Sequence, residues 1–130
     1  MKLQLKHLAG YLPYGLKVMR PDNKTILELS GSQGSLLIFS EGTYGQIGNK
    51  GNKPILRPLS DLTKEIKVNG EKYRPIDELW KYHNFSYLNL GEIKTDPTRY
   101  PYTIVEKLLE WHFDIYGLIE NGLAIDINTL

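Results

Sequence analysis

The sequence predicts an α+β fold: a small bent antiparallel sheet or SH3-like barrel over about residues 16–75, short helices, a long C-terminal helix and a terminal strand. Three observations carry this. Short alternating apolar runs crowd the first 75 residues, at the two-residue period of strands. Asn69-Gly70 sits between Lys67-Val68 and Glu71-Lys72-Tyr73, and this pair is the preferred two-residue hairpin turn. Beyond Thr103 the chain changes to helical period. Ile104, Val105, Leu108, Leu109, Trp111, His112, Phe113, Ile115 and Tyr116 fill an arc of roughly 200°, twice what a surface helix needs. Strands first and a helix after them suggest α+β rather than alternating α/β.

Each element has its own local reason. Leu3–Leu12 reads as a short helix with Leu5, Leu8 and Leu12 on one face, ended by Pro13 and Gly15. Leu16–Arg20 and Thr25–Leu29 alternate as strands around Pro21-Asp22-Asn23-Lys24, which is turn chemistry. Ser30–Ser35 reads as a loop and Leu36–Phe39 as a buried strand. Glu41–Lys53, with four glycines and two asparagines, is the longest irregular segment, too long for a plain connector. Ile55-Leu56 ends a strand before Pro58, and Ser60 can cap a short helix through Ile66.

After the Asn69-Gly70 hairpin, Ile76–His83 reads as a short helix with Ile76, Leu79, Trp80 and His83 inward. Tyr87, Leu88 and Leu90 suggest another strand, and Lys94–Pro101 a loop. The long helix gains a capping box from Thr103 and Glu106 and a left-handed stop at Asn121-Gly122, with Leu123 packing on Leu118. Leu123, Ile125 and Ile127 then alternate as a strand. The expected layout is one domain over 1–130, with a β-rich part at about 16–75, a helical part at 76–122 and a strand at 123–128.

Composition bounds the function. The 130 residues are 41% apolar and hold no cysteine, so disulfides and thiolate metal sites are excluded. No apolar run approaches the ~20 residues of a membrane span, and the first residues lack a signal-peptide core. A soluble protein of the cytoplasm is expected. The net charge of +1 hides +6 in residues 1–74 and −5 in residues 75–130. A basic half suits nucleic acid or an acidic partner, although opposite charges can also intersperse on the folded surface.

Motifs for catalysis or cofactors are missing. The glycine loop lacks the Gly-Lys-Ser/Thr ending of a phosphate-binding loop and leads to Pro54 rather than a helix. His7, His83 and His112 have no metal-ligand spacing. The serines of Ser30–Ser35 form no nucleophile elbow. No catalytic, cofactor-binding or metal residue is expected. The over-wide apolar arc offers a protein interface through Leu108, Trp111, His112, Phe113, Ile115 and Tyr116, to a partner or a second copy. Basic residues interleaved with tyrosines offer a second possibility. Tyr14, Lys17, Lys50, Lys53, Arg57, Lys72 and Arg74 could stack bases and neutralise phosphates. An enzyme of unrecognised type is the third.

Several stretches together resemble a group of small proteins encoded in bacterial phage and prophage regions. They are His7-Leu8-Ala9, Tyr11–Lys17, Lys53–Leu62, Glu106–Asp114 and the Ala124–Leu130 ending. The resemblance implies a phage or mobile-element setting in a bacterial host and carries over no site residue. The leading expectation is a non-enzymatic interaction module with a protein partner or itself. Nucleic acid is the other possible partner, and a membrane is not expected.

Overall fold

The computed structural model describes residues 2–47, 51–68, 70–82 and 96–130. The expected strand at 87–90, together with His83, Asn69 and Lys50, lies outside them. Among the described residues there are eight strands: β1 Lys17–Met19, β2 Ile26–Gln33, β3 Leu36–Phe39, β4 Tyr44–Gln46, β5 Lys53–Leu56, β6 Ile66–Val68, β7 Glu71–Tyr73 and β8 Ile125–Asp126. The α-helices among them are α1 Leu5–Leu8, α2 Pro75–Tyr82 and α3 Tyr102–Glu110. Six strands form one sheet in the order β4-β3-β2-β1-β5-β8, and β6-β7 stand apart as a hairpin. All pairings are antiparallel except β5 with β8. Among the described residues no ladder joins β4 to β8, so the sheet is open rather than an SH3-like barrel.

The N-terminal part follows local chemistry. α1 passes into a 3-10 turn over Ala9–Tyr14, and Gly15 stops it at φ 63°. In the β1–β2 turn Asp22 accepts the amides of Lys24 and Thr25 and the Thr25 hydroxyl. These bonds hold its carboxyl down at about 2. β2 then runs on through the segment expected to be a loop. Ser30 is the extra residue of a bulge between Leu29 and Gly31, and its hydroxyl donates to the Ile38 carbonyl. β4 lies inside the segment read as irregular. Gly45 leaves room there for Arg20, whose Nη1 would lie 2.3 Å from a Cβ and would have to move aside. Arg20 in turn lies over the Phe39 ring and donates to Asn52.

The C-terminal part departs most from the sequence expectation. α3 spans nine residues and starts one residue early, with Pro101 at the N-cap, so Thr103 lies within the first turn and forms no capping box. It closes at Trp111, and His112 adopts the left-handed φ of 62°. The His112 amide bonds to the Leu109 carbonyl and the Phe113 amide to the Leu108 carbonyl. That is a Schellman ending with histidine in the place usually held by glycine. Phe113 then bridges Arg57: the Arg57 amide donates to the His112 carbonyl and the Asp114 amide to the Arg57 carbonyl. The fully buried Tyr11 hydroxyl donates to the Phe113 carbonyl at 2.5 Å and accepts the Ile115 amide.

The stop expected at Asn121-Gly122 does form, but on a turn rather than a long helix. Gly122 is at φ 73°, its amide bonds to the Ile119 carbonyl, and the Leu123 amide bonds to the Leu118 carbonyl. The terminal strand exists too. It is shortened to Ile125–Asp126 and runs parallel to β5, with Ile55 opposite Ile125. The buried apolar cluster runs from Leu3 through β1, β2, β3, β5, β6, α2 and α3 to Ala124. Among the described residues no helix is long and apolar enough to cross a membrane.

Candidate functional site

A cleft of about 750 Å3 opens between the β6–β7 hairpin, the end of α3 and the sheet at β1 and β5. Its size is that of an ordinary ligand site. It gathers residues from both sequence-derived groups: Tyr14, Lys17 and Arg57 from the basic strip, Trp111 and His112 from the apolar arc. Lys67, Glu71, Tyr73, Glu78, Lys107 and Glu110 join them. Ile55, Val68 and Ile127 supply apolar wall.

The fold places each group for a local reason. Arg57 follows β5 and is locked by its backbone bridge to Phe113. Its side chain is half-buried and donates to the Lys67 carbonyl at 3.4 Å. Burial pulls the guanidinium below its usual value, against the opposing pull of Asp61 and Tyr73. Arg57 makes no ion pair among the described residues. The buried Asp61 carboxylate meets Lys64, at 3.5 Å, rather than Arg57. Tyr73 packs on Trp111 at 5.6 Å between ring centres, and burial raises its phenol to about 12, keeping it a donor. Trp111 is set edge-on to Phe113, with Lys107 above its ring.

His112 Nε2 donates to the Tyr14 carbonyl at 2.6 Å, which leaves Nδ1 as the acceptor of the neutral ring. The left-handed backbone at His112 aims the side chain at Tyr14. A left-handed residue other than glycine costs about 1–2 kcal/mol, and this bond together with the two Schellman bonds offsets it. Burial lowers the His112 pKa first of all; Arg57 and Lys17 add to the lowering, while the Tyr14 bond and Glu28 oppose it.

The other sequence-derived residues lie elsewhere. Arg74 is bound twice by Asp77, at 2.9 and 3.1 Å. Lys72 is exposed on β7, and Lys53 opens β5 opposite Met19. Leu108 and Phe113 are fully buried, and Trp111 and Ile115 nearly so, in the chain's own core. The chain itself thus covers four of the six residues that the arc offers as a protein interface. Tyr116 alone of that group is exposed, at 38%, edge-on to His7. Lys67 and Glu71 are not among the sequence-derived residues. The Asn-Gly hairpin announces their strand pair, but no local pattern says that the hairpin closes over Arg57.

Compared with protein-family models, with curated proteins and with solved structures, the chain matches none.

Two histidines give a pH dependence. His7 is buried, its Nδ1 accepts the Gln4 amide, and burial followed by Lys6 lowers its pKa. His7 and His112 are thus both held below the ordinary imidazole value of 6.5. The unfolded chain therefore takes up protons first as the pH falls. Their contribution is complete above about pH 6.5 and is lost as the pH drops from there toward the lowered folded values. Urea unfolding at a series of pH values from 7.5 to 5 should show falling stability. The slope should be reduced in His7→Gln and again in His7→Gln/His112→Asn. An unchanged slope in the double variant would mean that other groups set it.

Proposed function

We propose that the chain is a non-enzymatic interaction protein that engages a protein partner through the cleft between the β6–β7 hairpin and α3. One observation carries this: the cleft brings Tyr14, Tyr73 and Trp111 together with charges of both signs around one unpaired, half-buried arginine. Aromatic and arginine side chains in a partly desolvated depression are the groups that dominate protein contacts.

Burial of Leu108, Trp111, Phe113 and Ile115 weighs against self-association through the helix. Catalysis is less favoured because His112 is oriented by a backbone carbonyl, and among the described residues no carboxylate bonds its ring. Nucleic-acid binding is less favoured because the cations form no continuous track. Arg74, Lys81, Lys107, Lys64 and Arg99 all have acidic partners. The sequence resemblance supplies the setting, a phage or mobile element acting in the cytoplasm of a bacterial host.

Photocrosslinking in such a host tests the proposal, with a photoreactive side chain at position 67 and a control at Lys24 in the distant β1–β2 turn. A discrete protein adduct from position 67 alone is the expected result. Adducts of nucleic acid, an adduct of twice the chain's mass, or equal labelling from both positions would overturn it.

A further inference from the structure

Three cleft cations stand without ion pairs among the described residues: Lys17, Arg57 and Lys67. Of the cleft acids, Glu78 is held by Lys81 and Glu110 by Lys107, which leaves Glu71 as the unpaired one. The open charge of the cleft is therefore positive, although the chain as a whole is nearly neutral. Tyr14 and Tyr73 stand beside these cations in the lining of the cleft.

Arg57 is the centre of it. A partly desolvated guanidinium gains most from an anion that can use two of its donors together. Here one Nη bonds weakly to a backbone carbonyl, and the residue lines the cleft without an ion pair among the described residues. The Tyr73 hydroxyl, kept protonated, adds a neutral donor on the same surface. The Tyr73–Trp111 pair, with Ile55 and Val68, forms an apolar floor for a side chain beside the anion.

Resting on the proposed protein-binding role, we infer that the cleft recognises an acidic peptide segment of the partner, with a carboxylate on Arg57 and a neighbouring apolar side chain against the half-buried Tyr73 and Val68. A carboxylate suits the site better than a phosphate. It carries a single charge and meets less repulsion from Glu71, Glu78 and Glu110, and its planar fork matches the guanidinium. A hairpin edge beside the cleft suits an extended segment. In a two-residue hairpin Val68 and Glu71 are the hydrogen-bonded pair, so Lys67 turns its amide and carbonyl outward. Arg57 already meets that carbonyl.

The experiment is an NMR titration of the full chain, following the Trp111 indole and the Val68 and Glu71 amides. The probe is a blocked peptide Leu-Phe-Glu-Leu, compared with Leu-Phe-Gln-Leu, a short thymidine oligonucleotide and inorganic phosphate. The expected result is saturable shifts with the Glu peptide and about tenfold weaker binding of the Gln peptide, the scale of one charge-assisted contact. Arg57→Ala should reduce the Glu peptide to the level of the Gln peptide, and Arg57→Lys should leave an intermediate affinity. The Glu-to-Gln comparison on the unaltered chain needs no variant, so a poorly folding Arg57→Ala cannot obscure it. Equal binding of the two peptides, no shift by either, or stronger binding of phosphate or oligonucleotide would overturn the inference. A protein adduct from position 67 alongside equal binding of the two peptides would sink the carboxylate and leave the protein-binding role standing. Absence of the adduct would sink the role itself.

Discussion

Phe113→Ala should lower the unfolding free energy by about 3–5 kcal/mol, the usual loss for a buried phenylalanine truncated in a packed core. For a chain of this length that is a fall in melting temperature on the order of 10–20 °C. The side chain is fully buried, against Trp111, and its backbone is held from two sides. Arg57 brackets it through the His112 carbonyl and the Asp114 amide, and Tyr11 takes its carbonyl. Fixed at both ends, this segment cannot move far to fill the cavity, which puts the cost toward the upper end of the range. Tyr116→Ala is the informative comparison. On a single helix Phe113 and Tyr116 would share one apolar face and cost similar amounts. In the folded chain Tyr116 is 38% exposed, and its loss should cost about 1 kcal/mol or less. Thermal unfolding of both variants by circular dichroism decides the matter, and equal losses would contradict the helix end at Trp111.

The same residues show what could be read before folding and what could not. Turns with strong local chemistry were legible. Asp22 caps the β1–β2 turn, Gly15 takes the left-handed position after Tyr14, Gly70 closes the β6–β7 hairpin, and Gly122 makes its stop. Each depends on neighbours a few residues away. The apolar arc at 103–116 misleads for a physical reason. A width of roughly 200° is not one helix with two buried faces. It is a nine-residue helix followed by an extended bridge, with two periodicities overlaid on one wheel. Nothing near His112 announces the break, because histidine is only moderately favoured in the left-handed region. The bonds that fix it run to Tyr14 and Arg57, far away in sequence.

β4 escaped notice for a related cause. Tyr44-Gly45-Gln46 looks like loop because its glycine makes room for Arg20, a contact visible only in three dimensions. The cleft was legible in halves. Charge and aromaticity group Tyr14, Lys17 and Arg57, and apolar spacing groups Trp111 and His112. Only the turn after α3 puts the two sets together. The β6–β7 hairpin then adds Lys67, Glu71 and Tyr73, whose place over Arg57 is set by a carbonyl contact rather than by any motif.

Asp114 provides a prediction in which the two descriptions of the C-terminal segment differ in sign. On one long helix Asp114 lies on the polar face, and replacing it with the better helix former alanine would be neutral or slightly stabilising. In the folded chain Asp114 is buried, with one carboxylate oxygen accepting the Leu118 amide at 2.8 Å and the other the Ile119 amide at 2.9 Å. These two bonds close the turn that leads into the Gly122 stop and so into β8. Asp114→Ala leaves both amides without an acceptor, Leu118 being fully buried, and should cost about 2–4 kcal/mol in urea unfolding. Asp114→Asn keeps one acceptor oxygen and should fall between the two. Hydrogen exchange locates the loss: the Leu118 and Ile119 amides should lose protection first, and those of α3 should change only as far as global stability falls. An Asp114→Ala chain as stable as the parent, with these two amides still protected, would restore the continuous helix. It would also remove the geometry that brings Trp111 and His112 to the cleft.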